Sequence, residues 1–462
     1  MPRRVRLIFD RGTLLLLEIP AGVNVAEIPG VLWDPRVGAH RAPARLCYAL
    51  VSELRRRGVQ LVDAPRPRLV PPSGFRPVPL RPYQAAALDA WRLGGRRAVV
   101  VLPTGAGKTR VALAAISTTR APSLCLVPTR ALMEQWTSAI AEFYDGPVGR
   151  FGDGERVLGP VTVATFASAY RHTPHLLGDR FGLLVVDEAH HFGRGLRDEA
   201  LEMNIAPLRL GLTATPPAPG PGAVRLGSLL GPIVFELSIA DLAGGYLAPL
   251  ERITWMLRLD PDERRAYDAL RDVYLQALRV FQGNHLGSSW EAFVRHAAMT
   301  DGGRRGIAAW RRAARLLAFP RCKSEALRRL LARHRGQRTL VFVAHNDTAY
   351  AVAREHLIMP LTCDIGRVER RDVLARFRSG ALRALVSAQV LNEGIDVPDA
   401  EVAIVVAGRM GAREHVQRVG RLLRPGVGKR AVVYELVVAQ SSEVWQAQRR
   451  AERLVVRSRS AA

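Results

Sequence analysis

The chain has 462 residues, enough for two medium domains and a smaller third, and its 48% hydrophobic content is ordinary for a globular protein with a large core. Lys and Arg number 67 against 42 Asp and Glu, a formal charge of +25, which suits a polyanionic partner because neutralised phosphates release counterions. An arginine-rich composition accounts for the same numbers, since lysine occurs only at Lys108, Lys323 and Lys429. Scattered cysteines (Cys47, Cys125, Cys322, Cys363) without a C-x-x-C pair argue against a disulfide framework or zinc site. With no signal-peptide core and no apolar window of ~18 residues, a cytoplasmic, nucleoid-associated protein with no membrane partner is expected.

In chain order, Val5–Phe9 and Thr13–Ile19 read as strands joined by the hairpin signal Asp10-Arg11-Gly12, and Ala44–Arg57 reads as a helix. Residues 1–63 are thus a small α+β domain. Prolines crowd the segment from Pro65 to Pro82, so residues 64–79 form a stiff linker. Short apolar runs then alternate with helical stretches: Ala98–Leu102, Leu124–Val127, Val161–Ala164, Leu183–Val186 and Leu210–Leu212. The pattern returns in Thr339–Val343, Ala384–Ser387, Val402–Val406 and Ala431–Leu436. Continuous hydrophobicity marks strands buried on both faces, and strand–helix alternation makes an α/β fold. The two α/β domains read as residues 80–245 and 321–445, separated by a helical insertion over 246–320 and followed by a charged tail, 446–462. Within the insertion Asp262–Phe281 and Arg304–Phe319 read as helices. The second sets Ile307, Trp310, Ala314 and Leu317 on one side and Arg304, Arg311, Arg312 and Arg315 on the other. That arginine face is either solvated or a grip on a phosphate backbone.

Ala98–Leu102 runs directly into Pro103-Thr104-Gly105-Ala106-Gly107-Lys108-Thr109 and then the apolar helical stretch Val111–Ile116. A strand, a glycine-rich loop and a helix N-terminus together cradle phosphates with inward backbone N–H groups and a helix dipole. Thr104, Gly105, Ala106 and Gly107 would form the cradle, Lys108 would reach the β- and γ-phosphates, and Thr109 would ligate Mg²⁺. The generic pattern's first glycine is replaced by Leu102. Leu183–Val186 delivers Asp187 and Glu188 to the carboxyl edge of a sheet, where Asp187 can hold Mg²⁺ through water and Glu188 can orient and deprotonate the attacking water. ATP and Mg²⁺ are therefore the expected cofactors, and ATP hydrolysis the expected chemistry.

Asp187-Glu188-Ala189-His190 after a phosphate loop resembles the superfamily 2 helicases, and the family's other motifs follow in order. Two tandem RecA-like domains are what that resemblance implies. Arg81-Pro82-Tyr83-Gln84 resembles the adenine-reading motif, which implies nucleotide contacts from Arg81 and Gln84. Pro128-Thr129-Arg130 and Ala164-Thr165-Phe166 resemble strand-gripping motifs. They imply nucleic-acid contacts from Thr129, Arg130, Thr165 and Phe166, joined by His345 in the second domain. Gly211-Leu212-Thr213-Ala214-Thr215-Pro216 resembles the segment that couples hydrolysis to motion, a role implied for His190, Thr213, Thr215 and Gln417. Leu391–Pro398 resembles motif five, with Gly394 and Asp396 near the nucleotide. Gln417–Arg424 resembles motif six, with Arg421 and Arg424 at arginine-finger positions.

The XPB-like branch (xeroderma pigmentosum group B helicases and their archaeal and bacterial relatives) is the nearest in pattern. Phe9–Leu14 and Trp33–Pro43 resemble its damage-recognition domain, Arg376–Gly380 fits its second helicase domain, and the helical insertion lies where that branch carries its thumb. Pro217–Leu230 lacks the branch's Arg-Glu-Asp element, and Cys363–Glu369 lacks its threonine-glycine pattern. The resemblance implies a 3′-5′ motor on single-stranded, forked or duplex DNA, acting in repair. Two alternatives stay open: a remodelling subunit working with a partner nuclease or a repair or transcription protein without unwinding, and an RNA helicase. The amino-terminal domain is either a DNA-contacting module or a structural one.

Overall fold

A computed structural model describes residues 4–195, 197–242, 246, 250–284, 290–388, 400–407 and 431–455. The chain divides into two compact units, Met1–Ser238 and a second beginning at Ile239. Among the described residues no helix is long and apolar enough to cross a membrane.

The first unit opens with β1 (Arg4–Asp10), β2 (Thr13–Leu17), β3 (Leu32–Asp34), β4 (Ala39–Pro43), helix α1 (Cys47–Arg56) and β5 (Gln60–Val62). They make a five-stranded sheet in the order β3-β4-β2-β1-β5, covered by α1. The β1–β2 hairpin pairs Asp10 with Thr13 across Arg11 and Gly12, both at positive φ (47° and 86°), the twist that suits a two-residue turn. Alternation along both strands buries Val5, Leu7, Leu14 and Leu16 against Leu50 and Leu54 of α1. Ile205, from the following domain, completes that core.

The nucleotide-type domain follows, with α2 (Pro82–Leu93), β6 (Arg97–Val101), α3 (Lys108–Thr119), β7 (Ser123–Val127), α4 (Arg130–Ala141), β8 (Val148–Gly152), β9 (Glu155–Val157) and β10 (Val161–Thr165). Next come α5 (Phe166–His172), β11 (Leu183–Val186), α6 (Glu199–Glu202), β12 (Leu208–Thr213), α7 (Pro221–Leu230) and β13 (Ile233–Glu236). Its sheet has the order β13-β6-β12-β11-β7-β10-β8-β9, parallel except for the β8–β9 hairpin. Strands β7, β10 and β11 are buried throughout, as their unbroken hydrophobicity requires. Parallel register gathers the carboxyl ends of β6, β7, β10, β11 and β12 on one edge, where ligand sites of open α/β sheets lie.

Among the described residues of this domain, one arginine is fully buried. Arg209 on β12 is 0% exposed and donates to the carbonyls of Leu201, Asn204, Ala206 and Leu229 over 2.7–3.1 Å. Burial, then the neighbouring Arg97 and Arg45, push its guanidinium well below the usual arginine range. Its carbonyl accepts Trp91 Nε1–H at 2.8 Å, so one residue ties α2, α6 and α7 to the sheet.

The second unit contains α8 (Ile239–Leu242), β14 (Leu250–Leu257), α9 (Pro261–Asn284), α10 (Trp290–Met299), α11 (Asp301–Ala318), α12 (Arg321–Arg333), β15 (Thr339–Phe342) and α13 (Asn346–His356). It continues with β16 (Met359–Leu361), α14 (Arg367–Ser379), β17 (Ala384–Ser387), β18 (Val402–Val405), β19 (Ala431–Val438) and a terminal helix, Ser442–Val455. Its sheet is parallel in the order β14-β19-β18-β15-β17-β16. The expectation of helix from residue 246 is corrected here: Leu250–Leu257 pairs along its whole length with β19, and the helical segment starts at Pro261. The buried face of α11 keeps Leu317 but otherwise shifts by one residue, from Ile307, Trp310 and Ala314 to Gly306, Ala309 and Ala313. Small residues win that face because α9 comes so close that a Cβ on Gly306 would collide with Ala277. Arg304, Arg311, Arg312 and Arg315 stay exposed. Lys323, 0% exposed, joins Glu443 at 2.7 Å and the Leu317 carbonyl at 2.8 Å, fastening the terminal helix and α11 together.

Candidate active site

The loop between β6 and α3 has the backbone that its sequence demands. Gly105 and Gly107 adopt φ of 86° and 77°, a region that costs other residues ~1–2 kcal/mol, and Gly107 caps α3 so that Lys108 and Thr109 open the helix. Glycine is doubly required at 107, where a Cβ would collide with Gln84 Nε2. Tyr83 Oη and Gln84 Nε2 both donate to the Ala106 carbonyl at 2.8 Å, and Gln84 Oε1 accepts the Arg81 N–H at 2.9 Å. The Gln84 amide, 2% exposed, therefore braces the loop from beneath instead of facing solvent. Lys108 Nζ rests on the Leu102 carbonyl at 3.3 Å, and Thr104 Oγ1 is buried without a hydrogen-bond partner.

The two residues that follow β11 are the carboxylates. Asp187 is buried; its Oδ2 accepts Trp136 Nε1–H at 2.9 Å and its Oδ1 accepts the Glu188 N–H at 2.9 Å. Glu188 takes a left-handed backbone (φ 49°), uncommon for a residue with a side chain and typical of strained functional turns. His190 Nδ1 lies 2.9 Å from Thr213 Oγ1 and 3.4 Å from Glu188 Oε2. Thr213 Oγ1 in turn donates to the Thr215 carbonyl at 3.0 Å and accepts the Thr215 N–H at 3.2 Å. His190, Thr213 and Thr215 are thus hydrogen-bonded to one another between the ends of β11 and β12, and Glu188 joins this polar cluster at ion-pairing distance from His190. Cys125, fully buried on the neighbouring strand, has its thiol pushed up by burial and by the Asp187 carboxylate, so it stays protonated.

These residues fit a Mg²⁺-nucleotide. The loop offers two glycines in left-handed backbone, an orphaned threonine hydroxyl and a lysine resting on a carbonyl, while Trp136 and the Glu188 amide orient the Asp187 carboxylate. Mg²⁺ carried on phosphates needs only one or two protein groups, a role for which Thr109 and Asp187 are the candidates.

The expected nucleic-acid contacts fare differently. Thr129 caps α4 through Leu132 N–H, and Arg130 at the rim is paired with Asp153 of the β8–β9 turn. His345 precedes α13 in extended backbone and is half-buried. Phe166, at 1% exposure, packs edge-on against Phe192, ring centroids 4.8 Å apart, so its ring belongs to the core and a contact with a nucleic-acid strand would come from its backbone. Thr165, also buried, spends its hydroxyl on capping α5 through Ser168.

With this geometry in place, three segments match known families: residues 7–64 the xeroderma pigmentosum group B helicase damage recognition domain, residues 77–218 the type III restriction enzyme res subunit, and residues 322–426 the helicase conserved C-terminal domain. The DNA 3′-5′ translocase XPB2 of Sulfurisphaera tokodaii is 33% identical over 429 residues, covering 92% of this chain and 97% of its own. The chain belongs to the XPB family of superfamily 2 helicases. A second XPB protein, the DNA 3′-5′ helicase XPB of Kineococcus radiotolerans, is 30% identical across 75% of this chain, which spans 57% of that longer relative. The crystal structure of the Pyrococcus furiosus Hef helicase domain superposes with a TM-score of 0.54 at 19% identity, over 80% of this chain and 98% of that one, and it shares the fold.

Of the XPB-type motifs, five and six lie outside the described residues, and with them Gly394, Asp396, Gln417, Arg421 and Arg424. Sequence reasoning missed Trp136. Its signal was present: Met133, Trp136 and Ile140 recur at helical spacing behind Thr129-Arg130 and mark a buried face, but only the fold shows that this face meets Asp187.

Proposed function

We propose that the chain is an ATP-driven DNA translocase of 3′-5′ polarity, working on DNA at the nucleoid in repair. The observation that carries the reading is the oriented pair at the end of β11, an Asp187 carboxylate locked by Trp136 beside a Glu188 joined through His190 to Thr213. Bound Mg²⁺ would neutralise charge on the phosphates. Thr109 and Asp187 would hold it, Lys108 would leave the Leu102 carbonyl for the phosphate oxygens, and Glu188 would take a proton from the attacking water. Motion of His190 or Thr213 on phosphate release would pass along the same network toward Thr215. Arg421 and Arg424 are proposed as arginine fingers from motif six, and residues 1–63 as a DNA-contacting domain.

Translocation is favoured over strand separation because the relative matched over nearly its whole length is named a translocase. The test is ATP hydrolysis by wild type and Glu188→Gln, with single-stranded, duplex and forked DNA and with RNA. DNA stimulation that disappears in the variant supports the reading, and indifference to every nucleic acid overturns it. Oppositely polarised overhangs then test direction and unwinding.

A further inference from the structure

Beyond His191 the chain turns through Gly193 and Gly195, with φ of 87° and 109°, before α6. A single carboxylate holds that turn. Buried Asp198 accepts the Gly193 N–H at 2.8 Å and the Gly195 N–H at 3.2 Å, one on each oxygen. Gly193 is also pressed against α7, since a Cβ there would collide with the Gly222 carbonyl. Arg225 of α7 pairs with Asp198 at 3.4 Å and with Glu202 at 2.7 Å, and Glu202 pairs with Arg45 of the amino-terminal domain at 3.1 Å.

Charge alternates along this line from the small domain to the loop behind Glu188. Asp198 is buried and the other three side chains are half-buried, so solvent screens them less than it screens a surface pair. The backing is firm, because Arg209 fixes the Leu201 and Leu229 carbonyls at the ends of α6 and α7. Glu202 and Arg225 also line a groove of about 550 Å³ together with Trp33 and Arg36, which opens the line of charges to whatever occupies the amino-terminal domain.

We propose that Arg45, Glu202, Arg225 and Asp198 are positioning residues that transmit the placement of the amino-terminal domain to the Gly193–Gly195 turn and so to Glu188. The proposal rests on the ATPase reading above. A purely adhesive role predicts lost stability with hydrolysis intact; transmission predicts the reverse.

The experiment is steady-state ATP hydrolysis by the full chain, with and without forked DNA, for Arg45→Ala, Arg45→Lys, Arg225→Ala and the Arg45→Ala/Arg225→Ala double variant, with Tm measured alongside. Arg45→Ala should lower kcat about fivefold with KM for ATP unchanged, a typical coupling between sites. Arg45→Lys should restore most of the loss, and Arg45→Ala should add nothing once Arg225 is gone. A lowered Tm with unchanged kcat, or the same kcat loss in both backgrounds, overturns the proposal. Absence of hydrolysis in wild type overturns the ATPase reading itself, whereas an active wild type with a silent Arg45→Ala overturns only this inference.

Discussion

β6 and β15 are built alike and end differently. Both are buried parallel strands that deliver the chain to the N-terminus of a helix. After β6 come two glycines in left-handed backbone and a lysine at the helix start. After β15 come Val343, Ala344 and His345, with His345 extended and its side chain making no capping bond to α13. The sheet supplies only a place; the residues at its edge supply the chemistry. The polar network that joins Glu188 to Thr215 likewise belongs to the first sheet, where β11 and β12 lie side by side.

That contrast can be broken most directly at the first edge. Lys108→Ala and Glu188→Gln are each expected to reduce hydrolysis by about 10²–10⁴-fold with circular dichroism unchanged. An active variant would mean that the two edges do not differ as described. Gly107→Ala should cost ~1–2 kcal/mol in a denaturant titration, from its positive φ alone, and should raise KM for ATP because Gln84 must move. Trp136→Phe keeps an aromatic ring, smaller than indole, but removes the bond to Asp187, so the Mg²⁺ concentration for half-maximal hydrolysis should rise about tenfold. At the second edge, His345→Ala should leave DNA-free hydrolysis alone and raise the DNA concentration for half-stimulation about fivefold, the worth of one hydrogen bond of ~1 kcal/mol.

The smallest effect lies outside both sheets, on α1. Hydrogen bonds from Arg56 and Arg57 hold the Glu53 carboxyl at about 2 against an ordinary 4.5. A depressed folded value means a contribution present above pH 4.5 and lost as pH falls through 2. The Tm difference between wild type and Glu53→Gln should therefore vanish over that window. Because the cluster lies at the surface of α1, with Glu53 half-buried and Arg56 exposed, the difference should be slight even at neutral pH.

Much of the architecture was legible because parallel strands buried on both faces leave unbroken apolar runs. Leu183–Val186 and Ala384–Ser387 coincide residue for residue with β11 and β17. β14 was not legible: as an edge strand its Glu251 and Arg252 interrupt the run, and it declares itself only by pairing with β19, about 180 residues away in sequence. Arg209 was hidden for a related reason. An arginine between two leucines reads as the solvent face of a strand, and only the four surrounding carbonyls, three from residues 201–206 and one from α7, explain its burial. Phe166 shows the converse, since a motif fixes where the backbone runs but not which side chains of it reach the surface.

The linker has a practical consequence for dissection of the molecule. Its prolines do not hang free: Leu69 N–H bonds the Arg180 carbonyl, Arg68 pairs with Asp179, Arg76 N–H bonds the Phe143 carbonyl, and Phe75 stacks on Tyr144. With Ile205 also plugged into the small domain's core, a protease that nicked residues 64–79 would leave two fragments still bound to each other, which would run as one particle on a sizing column and part only in denaturant. Genetic removal of the small domain would instead expose Ile205, so nicking, rather than truncation, is the cleaner way to ask what tethering contributes.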